Sequence, residues 1–193
     1  VMGLARAVAV GALVVAVAGC DRTMPDDPTG TPWAVSPSAA PVEFALPSLR
    51  LPGMAPDGTC PVTEPHSWAD PEQASRVFGP GPVYPIADYF PDGALPLRDG
   101  DRQQDGSYTA KVRWLATGYT GPVLLRAAPI DGAGSASAKF SYLGETRDDG
   151  HHAVLTSPDT DLPGTTTVSG PGCYAYQVDG TSFSFTIVFR AER

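Results

Sequence analysis

Pro171 to Arg190 reads PGCYAYQVDGTSFSFTIVFR. In its second half Phe183, Phe185, Ile187 and Phe189 alternate with Ser184, Thr186, Val188 and Arg190, the period of two that sends one set of side chains to a buried face. Cys173 to Val178 forms a second run, and Asp179 with Gly180 supplies a turn pair that tolerates positive φ. The stretch predicts a β-hairpin with an aromatic inner face. A face of that size must be buried against another layer, and Trp114 is the expected partner.

Moving back along the chain, the same period recurs. Tyr108, Ala110, Val112, Trp114 and Ala116 share one face opposite Thr109, Lys111, Arg113 and Thr117, and Val123, Leu125 and Ala127 continue the pattern. Phe140 and Tyr142 mark a further strand, Ala153 and Leu155 a weaker one, and Thr165 to Ser169 another. Asp-Gly pairs at Asp57, Asp92, Asp99, Asp105, Asp131, Asp149 and Asp179 punctuate these runs as turns. One short helix is expected, with Asp70 as N-cap, Pro71 at the first position and Gln73 closing a capping box before Gly79. The fold class is therefore all-β: an immunoglobulin-like antiparallel β-sandwich with one short N-terminal helix, or alternatively a small β-barrel. The order Cys60, Trp114, Cys173 is similar to the immunoglobulin order, although its span exceeds the usual intersheet bridge.

Composition sets the outer limits. Among 193 residues, 21 Gly and 21 Pro disfavour long helices, while 42% hydrophobic and 18% charged residues place the chain among globular proteins. A formal charge of −8 repels phosphate backbones, which removes nucleic acid as a partner. Asn is absent, so no N-glycosylation acceptor exists, and Lys occurs only at Lys111 and Lys139, a bias that points to a G+C-rich bacterial genome.

The N-terminal residues carry a different signal. Arg6 precedes an uncharged run over residues 7–19, too short for the ~20 residues that span a bilayer. The run ends Val17, Ala18, Gly19, Cys20, which resembles a bacterial lipobox. That resemblance implies a signal peptide over 1–19, a diacylglycerol on Cys20 and a membrane anchor on the outer face of the cell; an ordinary secretory signal is the alternative. Residues 20–55 read as a Pro-rich tether in extended conformation. Phe44, Leu46, Leu49 and Leu51 could dock on the domain, but the boundary is placed near Ala55, leaving 56–193 as one domain of ordinary size. With Cys20 lipidated, Cys60 and Cys173 form an even pair in an oxidising compartment and are expected to be bonded.

GPGPVY at Gly79 to Tyr84, KVRW at Lys111 to Trp114, GPVLLR at Gly121 to Arg126 and PGCYAYQVDGTSFS at Pro171 to Ser184 resemble a group of actinobacterial envelope lipoproteins of unassigned function. The resemblance spans roughly the whole domain. It implies secretion and a sandwich, and no chemistry.

Catalytic motifs are sparse. No G-x-S-x-G elbow occurs, and Gly132, Gly134 and Ser135 lack the following helix of a phosphate loop. Nothing singles out two carboxylates as a glycosidase pair. Asp148, Asp149, Gly150, His151 and His152 cluster metal-capable side chains, but neighbouring His residues on a strand face opposite ways and His66 is remote, so a solvated hairpin turn is expected there. Trp68, Tyr84, Tyr89, Phe90 and Tyr119 form either an aromatic ligand platform or, more commonly for such residues, part of the core. The expectation is a non-catalytic binding or envelope accessory module with no cofactor and no metal, partnered by the membrane through its lipid and by an envelope protein or glycan. The rival is an extracytoplasmic hydrolase with a dispersed active site.

Overall fold

The computed structural model describes residues 44–55, 57–132, 134–147 and 149–193. The expected signal peptide over 1–19, Cys20 and the expected tether up to residue 43 lie outside the described residues. The early strands are short: β1 (His66–Ser67), β2 (Arg76–Val77), β3 (Val83–Pro85) and β4 (Ala94–Pro96). The longer ones follow as β5 (Tyr108–Ala116), β6 (Gly121–Pro129), β7 (Ala136–Phe140), β8 (Glu145–Arg147), β9 (Gly150–Leu155), β10 (Thr160–Val168), β11 (Gly172–Gly180) and β12 (Ser184–Glu192).

Ten of these strands form two sheets packed as a β-sandwich, in the orders β3-β5-β10-β7 and β4-β12-β11-β6-β9-β8; β1 and β2 form a separate ribbon. Pairing is antiparallel except between β12 and β4, which run parallel with Arg190 opposite Ala94. The strictly antiparallel expectation is corrected at that edge.

Between the sheets, the alternating faces meet as aromatic packing. Trp114 of β5 meets Tyr176 of β11 edge-on at 5.0 Å and Phe140 of β7 at 6.0 Å. Phe189 of β12 stacks on Tyr176 at 4.5 Å, and Phe90 closes the layer against Phe78 and Phe189. Burial of such rings supplies most of the driving force for sheet-on-sheet packing. Ile187 and Phe189 are fully buried, whereas Phe183 and Phe185 are only partly covered at the end of the hairpin.

The hairpin turn differs from expectation. Asp179 and Gly180 belong to β11, with Asp179 opposite Ser184, and Gly180 N–H donates to Phe183 O across a loop of Thr181 and Ser182. Gly180, like Gly100, does not need positive φ, unlike Gly58, Gly93, Gly106, Gly132 and Gly150 in the other five Asp-Gly pairs. At Asp57 and Asp105 the carboxylates accept from Thr59 and Ser107, which fixes each turn and lowers both acids below the usual carboxylate range.

The helix expected after Asp70 is a single turn. Asp70 accepts from the amides of Glu72, Gln73 and Ala74, but Ser75 N–H is taken by Asp88, and Arg76 and Val77 pair with Ser67 and His66, respectively. Asp70 caps the turn as expected, but the capping box does not close, because the Gln73 carboxamide accepts from Trp68 Nε1 instead of returning to Asp70, and pairing with the ribbon outcompetes propagation.

The boundary expected near Ala55 also moves. Residues 47–54 lie on the outer face of the six-stranded sheet, where Leu51 and Met54 pack against Cys173, Ala175 and Val188. Cys60 and Cys173 are joined, with Cα atoms 5.6 Å apart, so the disulfide ties the chain just after this segment to β11. It does not bridge the two sheets.

Candidate functional site

His151 and His152 belong to the cluster of metal-capable side chains for which the sequence predicts a solvated hairpin turn. The turn closes at Arg147 and Gly150, one residue early, so both histidines sit within β9 and face opposite ways. His151 is 3% exposed, not solvated as expected: Nε2 lies 2.7 Å from Leu143 O, and the ring meets Phe140 edge-on. Burial pushes its pKa down. His152 pairs with Asp149 at 2.9 Å, which lowers the Asp149 carboxyl. His66 Nε2 is 2.9 Å from Gly79 O, away from both. Among the described residues no three metal-capable side chains converge.

Of the proposed aromatic platform, Phe90 and Tyr119 are core residues, while Trp68, Tyr84 and Tyr89 are partly buried. Trp68 leans edge-on against Tyr84 at 5.0 Å and lines an open groove of about 430 Å³ at one end of β5 and β10. The groove gathers polar groups that the sequence scatters from residue 68 to residue 161. Trp68 Nε1 donates to Gln73 Oε1 at 3.3 Å, and Arg113 donates to Asp161 at 2.7 Å and to Gln73 O at 3.0 Å. The Asp161 bond holds the Arg113 guanidinium above its usual pKa. Asp159 accepts from Thr117 Oγ1 at 2.7 Å and from Gly118 N–H at 3.3 Å, and Asp70 completes the acidic rim.

This geometry offers an indole, a carboxamide, three carboxylates and a guanidinium along one concavity. Such a set suits a ligand with an apolar face and many hydroxyls, because planar polar side chains bond hydroxyls while an aromatic takes the C–H face. Sequence reasoning found Trp68 but not its companions: Asp161 and Arg113 become neighbours only through the β5 and β10 register, which sets Asp161 opposite Leu115 and Pro163 opposite Arg113.

A larger open groove of about 960 Å³ runs between Leu46, Val123 and Val154. Its rim charges bond to each other or to neighbours, Arg147 to Glu145 and His152 to Asp149, so it presents an apolar floor rather than convergent chemistry. Cys20, the proposed lipid site, lies outside the described residues. Among the described residues no helix is long and apolar enough to cross a membrane.

No protein-family model matches the chain. No curated protein matches it in sequence either. Among solved structures, a family 123 glycoside hydrolase from Clostridium perfringens, described for glycolipid glycan hydrolysis, aligns with 47% of this chain at 10% identity and a TM-score of 0.23. The chain spans 21% of that enzyme's length, and a likeness of this size carries neither a shared fold nor a shared activity.

Proposed function

We propose that the chain is an extracytoplasmic lipoprotein, anchored through Cys20, whose β-sandwich is a non-catalytic binding module with its ligand face at the Trp68 groove, and that the ligand is an envelope glycan. The observation that carries the ligand class is the placement of Trp68 beside Gln73, Asp70 and the Arg113–Asp161 pair in one concavity. The sandwich is read as immunoglobulin-like on its two packed sheets and central Trp114, with a disulfide placed differently from that group's intersheet bridge. A second reading, a glycan hydrolase, draws on the carboxylates of Asp70, Asp159 and Asp161 in the same groove.

Affinity electrophoresis of the secreted chain through gels containing envelope polysaccharide tests the module. Retardation that Trp68→Ala abolishes supports it; equal mobility of both proteins with and without polysaccharide rejects it. Release of new reducing ends that Asp159→Asn and Asp161→Asn remove would favour the hydrolase. For the anchor, Cys20→Ala should shift the protein from the detergent phase to the aqueous phase, and unchanged partitioning rejects lipidation.

A further inference from the structure

We infer that the outer face of β6 and β11 is a receptor for an extended peptide, and that residues 47–54 are its displaceable ligand in cis. Two side chains on that face read main chain. The Gln177 amide donates from Nε2 to Ser48 O at 3.1 Å, while its Oε1 accepts from Arg50 N–H at 2.6 Å. Arg126 Nη2 donates to Pro47 O at 2.8 Å. A carboxamide that satisfies one residue's carbonyl and another's N–H recognises extended backbone whatever its side chains.

These readers are set from beneath. Asp179 is fully buried; its Oδ2 accepts from Arg126 Nη2 at 2.6 Å, both oxygens lie 3.0 to 3.1 Å from Gln177 Nε2, and Ser184 Oγ donates to Oδ1 at 2.6 Å. All of those partners belong to the sheet and none to residues 47–54. The carboxylate therefore stays paired when the segment lifts, which avoids the large cost of an orphaned buried charge. A cover needed only for burial would call for an apolar surface, not a preset amide and guanidinium.

The segment itself is held as a ligand is held. Among the described residues, 47–54 make no backbone-to-backbone hydrogen bond to a strand. Leu51 and Met54 provide the apolar contacts, whereas Leu49 remains 45% exposed. Just downstream, the exposed turn at Asp57–Thr59 leads into the Cys60–Cys173 bond, so the chain beyond it stays seated when the segment leaves. The partner chemistry is a peptide of extended main chain with apolar side chains three residues apart. This inference does not depend on the glycan reading.

The test places a protease site in the turn at residues 57–59 of the full chain, cuts it with the disulfide intact, and adds a fluorescent peptide of residues 44–55. The cut protein should take up the peptide while the uncut protein, whose own segment is present at high effective concentration, should not. Gln177→Ala should weaken uptake about tenfold, and so should N-methylation of the peptide at Arg50, which removes the N–H that Gln177 accepts. Unfolding on cutting, absence of uptake, or equal binding of the N-methyl peptide overturns the inference. Hydrogen exchange on the unaltered chain decides independently: the Arg50 amide should exchange at least about a hundredfold faster than that of Tyr176, and equal protection overturns it.

Discussion

Tyr176 and Thr166 join the two sheets through their hydroxyls, 2.6 Å apart with both residues inaccessible to solvent. Burial drives the Tyr176 phenol far above its usual pKa, so it stays protonated and the pair remains a neutral hydrogen bond at every working pH. Tyr176→Phe should strand the Thr166 hydroxyl and cost about 1 to 3 kcal/mol. Thr166→Val should cost a similar amount, and the double variant less than the sum, because neither orphan is left. Urea titration of the four proteins reads the coupling, and strict additivity would show that the bond does not join the sheets energetically.

Arg126 and Asp179 make a buried ion pair on the six-stranded sheet, at 2.6 Å with Asp179 fully enclosed. Asp179→Ala leaves the Arg126 guanidinium without its counter-charge and should cost about 3 to 5 kcal/mol, read as a lowered thermal midpoint. Because the same carboxylate orients Gln177, the variant should also loosen residues 47–50, seen as faster exchange of the Arg50 amide. A midpoint within error of the parent would exclude a structural role for the pair.

His151 gives the domain an acid-sensitive site. Its pKa is depressed in the folded state, chiefly by burial, so between the depressed value and the unfolded value near 6.5 the unfolded chain binds more protons. Stability contributed by the neutral ring is present above that window and is lost as pH falls through it. His151→Ala should cost about 2 to 3 kcal/mol at neutral pH through the cavity and the lost bond to Leu143 O, and flatten the decline below pH 6.5. His152→Ala, whose partner Asp149 is exposed, should change little. Parallel pH profiles for parent and His151→Ala would show that another group titrates.

The strands were legible wherever one face is buried, because alternation in Tyr108 to Ala116 and Ser184 to Glu192 states the period directly. The Cys60 and Cys173 pairing followed from parity of cysteines. What stayed hidden depends on a one-residue register or on contacts distant in sequence. Asp179 looks like a turn residue beside Gly180, yet it lies within a strand because Arg126 compensates its charge and Gln177 and Ser184 donate to its carboxylate. His151 looks solvated until the β8 turn closes at Gly150 and directs its ring inward. The Trp68 groove joins residues from the ribbon, β5 and β10, and no local pattern announces that meeting.

The hairpin's inner face is not uniform, and its gradient sets the last prediction. Phe189 is inaccessible and contacts Tyr174, Tyr176 and Phe90, whereas Phe185 is partly exposed and stacks mainly on Phe183 at 5.8 Å. Truncating a fully packed ring removes its transfer energy and leaves a cavity that rigid neighbours cannot fill, while an edge ring leaves space that water or neighbours reoccupy. Phe189→Ala should therefore cost about 3 to 5 kcal/mol, a large part of a domain's stability, and Phe185→Ala markedly less. Thermal midpoints and resistance to a nonspecific protease measure both. Were Phe185→Ala the more damaging change, the core would have to be centred on the hairpin's loop end rather than between Trp114, Tyr176 and Phe189.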